Sequence, residues 1–300
     1  MMTAFQAPAT VGEVHKNEPM SRHTSWRVGG PADLFFKPAS LDDLSEFLKN
    51  LDADVPVFWF GLGSNLLVRD GGLRGVVIAA SGLFTDLEKI GERRVRVGAS
   101  VPCTQLARQC IRWGFGPSEF FAGIPGLVGG ALAMNAGAHG CETWERVRVV
   151  RTIDRHGELH TRVPNDYQIS YRTVTGPAGE WFVETELEFD ADADASMETL
   201  KEMLARRKDT QPLGLPSCGS VFRNPPGDYA ARLIEASGLK GCRIGDAEVS
   251  EKHANFIINR GDATALDVEN LIMHVQQTVA DTTGIELIPE VRIVGEEESS

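Results

Sequence analysis

The sequence predicts an α+β protein in which short strands deliver two glycine-rich loops to an anionic ligand. One observation is the stretch Gly123–Gly140, with six glycines and no Asp, Glu, Lys or Arg, in a chain where 24% of residues are charged. Glycine has no Cβ, so its backbone approaches a ligand closely and reaches positive φ. Successive exposed N–H groups there form an anion nest, and the start of a helix adds its own partial positive charge. The second observation is the apolar run Pro56-Val-Phe-Trp-Phe60, a buried strand that leads straight into Gly61-Leu-Gly-Ser-Asn65. The third is a negative one. Leu66 stands where a dinucleotide fingerprint has its last glycine, no long helix follows, and neither loop ends in Gly-Lys-Ser/Thr. A Rossmann or Walker A reading therefore fails. What remains is a pyrophosphate held by two loops far apart in sequence, against the plain alternative of two packed turns.

Each element follows in order. Ala32–Pro38 reads as a strand, and Ser40 caps a helix over Leu41–Asn50. Strands at 55–60, 66–68 and 75–79 complete an α+β unit ending near residue 80, with Arg69-Asp-Gly-Gly72 as a turn. Asp86–Ile90 and Arg94–Val97 alternate like strands. Pro102–Trp113 carries apolar residues at 103, 106, 107, 110 and 111, the period of an amphipathic helix, closed by Gly114. Leu127–Asn135 is a short helix of small and apolar residues, and its start faces whatever the glycines cradle. Arg146–Asp154 and Glu158–Val163 form a hairpin through Arg155-His-Gly157, and Trp181–Phe189 is a further strand. The acidic run Asp190–Ala195 reads as a linker. Beyond it come a helix Met197–Arg207, a strand Gly219–Arg223, a helix Tyr229–Ser237 and a strand Phe256–Asn259. A long helix over Ala265–Thr282 and a terminal strand Pro289–Val294 end the chain.

Composition narrows the function. Three hundred residues exceed one ordinary core. A net charge of −12 argues against nucleic acid and anionic membrane as partners, though a few local arginines suffice for a small anion. Residues 1–20 are polar, read as a loose tail, and lack the apolar core of a signal peptide; no run approaches a membrane span. The five cysteines are scattered without Cys-x-x-Cys, which fits a reducing cytoplasm and excludes a disulfide framework. Cys103 and Cys110 are expected as small buried hydrophobes on one helix. The seven histidines lack ligand spacing, and no metal is expected.

Three polar spots remain: Ser170-Tyr-Arg172, Ser217-Cys-Gly-Ser-Val-Phe-Arg-Asn-Pro225, and Ile288-Pro-Glu-Val-Arg-Ile293. Singly each has a bland reading as surface, turn or ion pair. Together with His23-Thr-Ser-Trp-Arg-Val-Gly-Gly-Pro31, the two glycine loops and His253-Ala-Asn-Phe-Ile-Ile-Asn259, they recur in order over about residues 20–295. In these motifs the chain closely resembles the UDP-N-acetylenolpyruvoylglucosamine reductases, flavoenzymes of peptidoglycan precursor synthesis. The resemblance implies an FAD-binding fold of the vanillyl-alcohol oxidase type in two subdomains (21–80 and 81–195), followed by an α+β substrate-binding domain (196–300). It implies FAD and NADPH as cofactors, a UDP-sugar as substrate, and a cytoplasmic monomer.

Carried over by position, FAD falls to Gly61, Gly63, Ser64, Asn65 and Leu66, and to Gly123, Ile124, Pro125, Gly126, Gly129, Gly130, Asn135, Ala136 and Gly137. Ser220 is implied as proton donor, with Arg172 and Glu290 as catalytic companions. Substrate contacts fall on Asn224 and His253, with Tyr171, Lys208 and Arg223. Relatives carry a serine two residues beyond the arginine, where this chain has Val174, so the hydrogen bonding around Arg172 differs while its charge does not. The third domain has the short form, without a tyrosine-bearing lid loop.

The residue types suit the implied chemistry. Hydride added to the terminal vinyl carbon drives charge into the substrate carboxylate, and a fixed guanidinium stabilises it. Ser220 then protonates the adjacent carbon. A protonated Glu290 would donate a hydrogen bond to the enediolate, since desolvation raises a carboxyl pKa; its protonation state is not readable from the sequence. Cys218 is a rival proton donor two residues away. Two other readings keep the glycine loops. A different FAD oxidoreductase would need no such trio and would favour covalent flavin at His23 or His139; a flavin-binding regulator would have little use for the three polar spots.

Overall fold

The amphipathic period over 102–113 is realised as the helix Cys103–Arg112, which buries Cys103, Leu106, Ala107, Cys110 and Ile111. The computed structural model describes residues 7–191 and 196–298. Two compact units are built from it, neither of them continuous in sequence. The first takes Met1–His15, Phe35–Gly61 and Val76–Arg206; the second takes Lys16–Leu34, Leu62–Gly75 and Arg207–Ser300. Three strands, Glu13–Pro19, Pro31–Lys37 and Leu73–Ala79, carry the chain from one unit into the other.

In the first unit, Val57–Phe60 pairs in parallel with Val76–Ala79. Helix Leu41–Lys49 starts as expected, with Ser40 Oγ accepting from the Asp43 amide at 3.1 Å. A five-stranded antiparallel sheet follows, in the order Leu159–Arg162, Val147–Asp154, Glu180–Glu188, Arg94–Gly98, Leu87–Lys89. Alternation gives it two faces. Val95, Val97, Val150 and Leu187 share a core with Leu106, Cys110 and Val128. The opposite face carries cross-strand ion pairs such as Arg148–Glu188 and Arg96–Glu186.

The glycine-rich segment is stitched to the stretch before the Cys103–Arg112 helix. The Val128 and Gly129 amides donate to the Val101 and Ala99 carbonyls (3.0 and 2.8 Å), and the Cys103 amide donates to the Gly126 carbonyl at 3.0 Å. The segment then turns into the helix Val128–Met134, which Asn135 ends in a left-handed conformation (φ +45°).

In the second unit, helix Ala265–Thr283 opens on a capping box at Thr264 and ends at Gly284 with φ +73°. It shares a core with the helix Ala230–Ala236 and the sheet Arg243–Ile244, Ala247–Val249, Ile257–Asn259. Leu66–Val68 pairs in parallel with Arg292–Val294. Trp26 is fully buried, donating its indole N–H to the Ile257 carbonyl at 2.7 Å and accepting at its own carbonyl from Asn259 Nδ2 at 3.0 Å.

Three expectations change. The expected tail is not wholly loose: Glu13–Pro19 is a strand, and Asp43 fastens the residues before it through Thr10 Oγ1, the Val11 amide and the Gly12 amide (2.7–3.0 Å); residues 1–6 lie outside the described residues. Asp190 and Ala191, expected as linker, pair with Gly116 and Phe115, while 192–195 lie outside the described residues. Gly219–Arg223 is no strand. Only Phe222 makes a bridge, to Pro289, because its other edge is taken by a side chain.

Candidate active site

The expected site residues divide between the units, and each group has its own local logic. In the first unit, Gly61 and Gly130 are exposed, and a Cβ built on either meets nothing within 4 Å. These are open stretches of backbone, where no side chain bars a flat ligand from lying close. Gly126 has φ +148°. Gly129 differs: a Cβ there would lie 3.0 Å from Ala99 Cβ, so this glycine serves helix packing. Gly123 and Gly137 are also packing glycines, crowded by Ala138 Cβ at 2.7 Å and the Cys141 carbonyl at 2.3 Å. Ile124 is buried, and Pro125 is exposed.

Arg172 turns the hairpin between Gln168–Ser170 and Thr173–Thr175 with φ +55°. Its guanidinium donates to the Asn135 carbonyl (3.3 Å) and the Gly137 carbonyl (2.9 Å), with the exposed Tyr171 ring 4.9 Å from Cζ. Asn135, expected on FAD, is 1% exposed and spends its side chain internally. Its Nδ2 donates to Glu142 at 2.7 Å and to the Ser170 carbonyl at 3.3 Å, and its Oδ1 accepts from the Trp144 amide at 3.1 Å. Asn135, Ala136 and Gly137 thus form the seat on which Arg172 is fixed, the Ala136 carbonyl itself accepting from Thr143 at 2.7 Å.

In the second unit, Gly63 takes φ +60°, and the loop after it is braced twice. Cys218 is buried, and its thiol reaches the Gly63 and Leu66 carbonyls, each at 3.5 Å. Asn65 Nδ2 donates to the Glu290 carbonyl at 3.0 Å, and the Arg292 amide donates to the Asn65 carbonyl at 3.1 Å. Leu66 is buried, while Ser64 is half-buried. Burial pushes the Cys218 thiol up to about 12, so it is a packing group and not a ready acid. Gly219 then turns at φ +73° and leaves Ser220 half-buried. The Glu290 amide donates to the Val221 carbonyl at 2.7 Å. Ser220 and Glu290 therefore stand on adjoining backbone.

The expected substrate residues each have their own local partners. Asn224 Oδ1 accepts from the Ala230 amide at 3.1 Å, which makes it a helix cap. The Arg223 amide donates to the Ile288 carbonyl at 2.9 Å. Lys208 is exposed in the last turn of the helix Met197–Thr210. His253 is half-buried, edge-on to Phe256 with ring centroids 4.8 Å apart. Its Nδ1 is buried without a hydrogen-bond partner among the described residues, and desolvation lowers its pKa.

One residue given no role from sequence lies at this junction. Asn255, 4% exposed, grips Phe222 with both ends of its amide. The available signal was a lone amide in the apolar run Ala254–Ile258, since buried polar groups must find partners.

Residues 32–162 match the model of the FAD binding domain, and residues 211–294 match that of the UDP-N-acetylenolpyruvoylglucosamine reductase, C-terminal domain. A UDP-N-acetylenolpyruvoylglucosamine reductase of Alkalilimnicola ehrlichii is 58% identical over 299 residues, 99% of this chain and 100% of that one. The chain belongs to the UDP-N-acetylenolpyruvoylglucosamine reductase family. A second reductase, from Methylococcus capsulatus, is 56% identical over 94% of this chain and 93% of its own. The crystal structure of the Thermus caldophilus reductase superposes with a TM-score of 0.80 at 31% identity, over 95% of this chain and 99% of that one. The expected fold class stands, and so does its assignment as an FAD-dependent oxidoreductase of the reductase family. The bare backbone at Gly61 and Gly130 fits the cofactor that the family requires.

Proposed function

We propose that this chain reduces the enolpyruvyl ether of UDP-N-acetylenolpyruvoylglucosamine to UDP-N-acetylmuramate in peptidoglycan precursor synthesis, with NADPH as reductant and Ser220 as proton donor. The observation that carries the reading is the junction at Val221, where the 2.7 Å bond from the Glu290 amide sets the two candidate side chains on adjoining backbone. FAD, when bound, supplies hydride to the vinyl carbon. Arg172 binds the substrate carboxylate, and its two carbonyl anchors hold the guanidinium rigid, so no reorganisation is needed as charge grows there. Ser220 gives its proton to the carbon beside that carboxylate. A hydroxyl is a poor acid in water, and it serves here because the acceptor is a carbanion. Glu290 hydrogen-bonds the enediolate. Tyr171, Lys208, Arg223, Asn224 and His253 contact the UDP-sugar in this reading.

The chain works as a monomer in the cytoplasm, without metal or nucleic acid. The net charge of −12 argues against nucleic acid as a partner. Gel filtration checks the monomer. The proton donor is tested by Ser220→Ala in stopped flow. Flavin reduction by NADPH should proceed at near-normal rate, while reoxidation by the enolpyruvyl substrate should slow about 10²–10⁴-fold, roughly 3–5 kcal/mol of barrier. Ser220→Cys should recover part of the loss. Equal effects on both half-reactions would remove Ser220 from the mechanism.

A further inference from the structure

Between Ser220 and the helix cap at Asn224, the chain is held like the central strand of a sheet although no sheet is present. On one side lies the segment before the terminal strand. The Glu290 amide donates to the Val221 carbonyl at 2.7 Å, the Arg223 amide donates to the Ile288 carbonyl at 2.9 Å, and Phe222 bridges Pro289. On the other side lies one residue. The Asn255 carbonyl accepts from the Val221 amide at 2.9 Å, its Oδ1 accepts from the Phe222 amide at 2.9 Å, and its Nδ2 donates to the Phe222 carbonyl at 2.8 Å.

A side-chain amide carries the same donor and acceptor as a peptide group, so Asn255 supplies a strand's worth of pairing from a single position. The two amide bonds to Phe222 are buried, where an unmade one costs most. Val221 is consequently pinned through both its amide and its carbonyl. The amide bond fixes the residue that follows Ser220, and the carbonyl bond fixes Glu290.

We infer that Asn255 is a positioning residue for the protonation step: it sets Ser220 and Glu290 relative to each other by clamping Val221–Phe222. The inference rests on the catalytic reading given above. It predicts a specific split. Losing the side-chain amide frees Phe222 and leaves Val221 held by backbone bonds alone, and misplacement of a reacting group by an ångström costs on the order of 10²-fold. Flavin reduction needs neither Ser220 nor Glu290 and stays as it was.

The test is stopped flow on FAD-loaded Asn255→Ala and Asn255→Asp, with Ser220→Ala and the double variant Ser220→Ala/Asn255→Ala alongside. Asn255→Asp keeps the acceptor for the Phe222 amide but sets a second oxygen against the Phe222 carbonyl. Both Asn255 variants should reoxidise about 10- to 100-fold more slowly with enolpyruvyl substrate, and reduction by NADPH should change less than about twofold. Because Asn255 acts through Ser220 and Glu290, the double variant should be slowed by less than the product of the two single effects. A multiplicative double variant, or equal slowing of both half-reactions, overturns the inference. So does failure of both Asn255 variants to yield FAD-loaded protein, which would make Asn255 a general fold residue. If Ser220→Ala shows the split and the Asn255 variants do not, only this inference falls. If Ser220→Ala shows none, the catalytic reading falls with it.

Discussion

Cys218 and Ser220 are two residues apart, and burial separates them: Cys218 is packed in the core while Ser220 is half-buried. The Cys218 thiol sits against two carbonyls in the core and keeps its proton to about pH 12, where an ordinary thiol loses it near 9.0. Its folded-state pKa is raised, so its contribution to stability is whole below about pH 9 and lost as pH climbs toward about 12. Cys103, raised to about 12, and Cys110, raised as well, add to the same limb. Guanidinium unfolding across pH 8–12 should therefore show stability falling steeply above pH 9. Cys218→Ala should flatten that limb while costing about 1 kcal/mol at neutral pH. An unchanged alkaline slope would mean that the thiol is not buried in solution. Arg172 shows a different economy at the same scale. Its φ of +55° is a conformation that costs roughly 1–3 kcal/mol, and it is held by the carbonyls of Asn135 and Gly137.

At the level of elements, adjacent glycines in one helix have opposite meanings. Gly129 lies against Ala99, whereas Gly130 faces open space. Gly129→Val should misfold the loop and yield little soluble protein. Gly130→Val should fold, with thermal stability of the flavin-free protein shifted by no more than about 1 kcal/mol, but should lose FAD; absorbance at the flavin band against protein concentration reads this directly. A yellow Gly130→Val protein of normal flavin content would take the helix out of the cofactor surface. Flavin released to the supernatant by acid would show noncovalent attachment. Elements with a clean period were legible in the sequence. The helix Cys103–Arg112 and the hairpin Val147–Asp154/Leu159–Arg162 depart from expectation by only a residue or so at each end. Gly219–Arg223 was not legible, because its pattern is a strand's and its partner is the side chain of Asn255. Glu13–Pro19 carries charges at Glu13, Lys16 and Glu18, which mask a strand in a polar run.

For the whole molecule, the expected kinetic form is ping-pong: the reductant reduces the flavin and leaves before the enolpyruvyl substrate enters. Double-reciprocal plots should be parallel, and high enolpyruvyl substrate should inhibit competitively against NADPH. Intersecting lines would require both ligands to be bound at once. The site motifs were readable one by one as polar spots, at Ser217–Pro225 and Ile288–Ile293. Their convergence on Val221 was not, since no local pattern records which distant segments meet. The same holds for the two units, which interleave along the chain. The parallel pairing of Leu66–Val68 with Arg292–Val294 gives this interleaving a consequence during synthesis. Trp26 waits for Asn259, 233 residues later, and Arg69 waits for Glu269, 200 residues later. A nascent chain emerging at about 5–20 residues per second carries its first seventy residues unfinished for roughly ten seconds or more. The second unit can close only once the last strand has left the ribosome, so chains released before Arg292 should be substrates for chaperones and proteases rather than partly active enzyme.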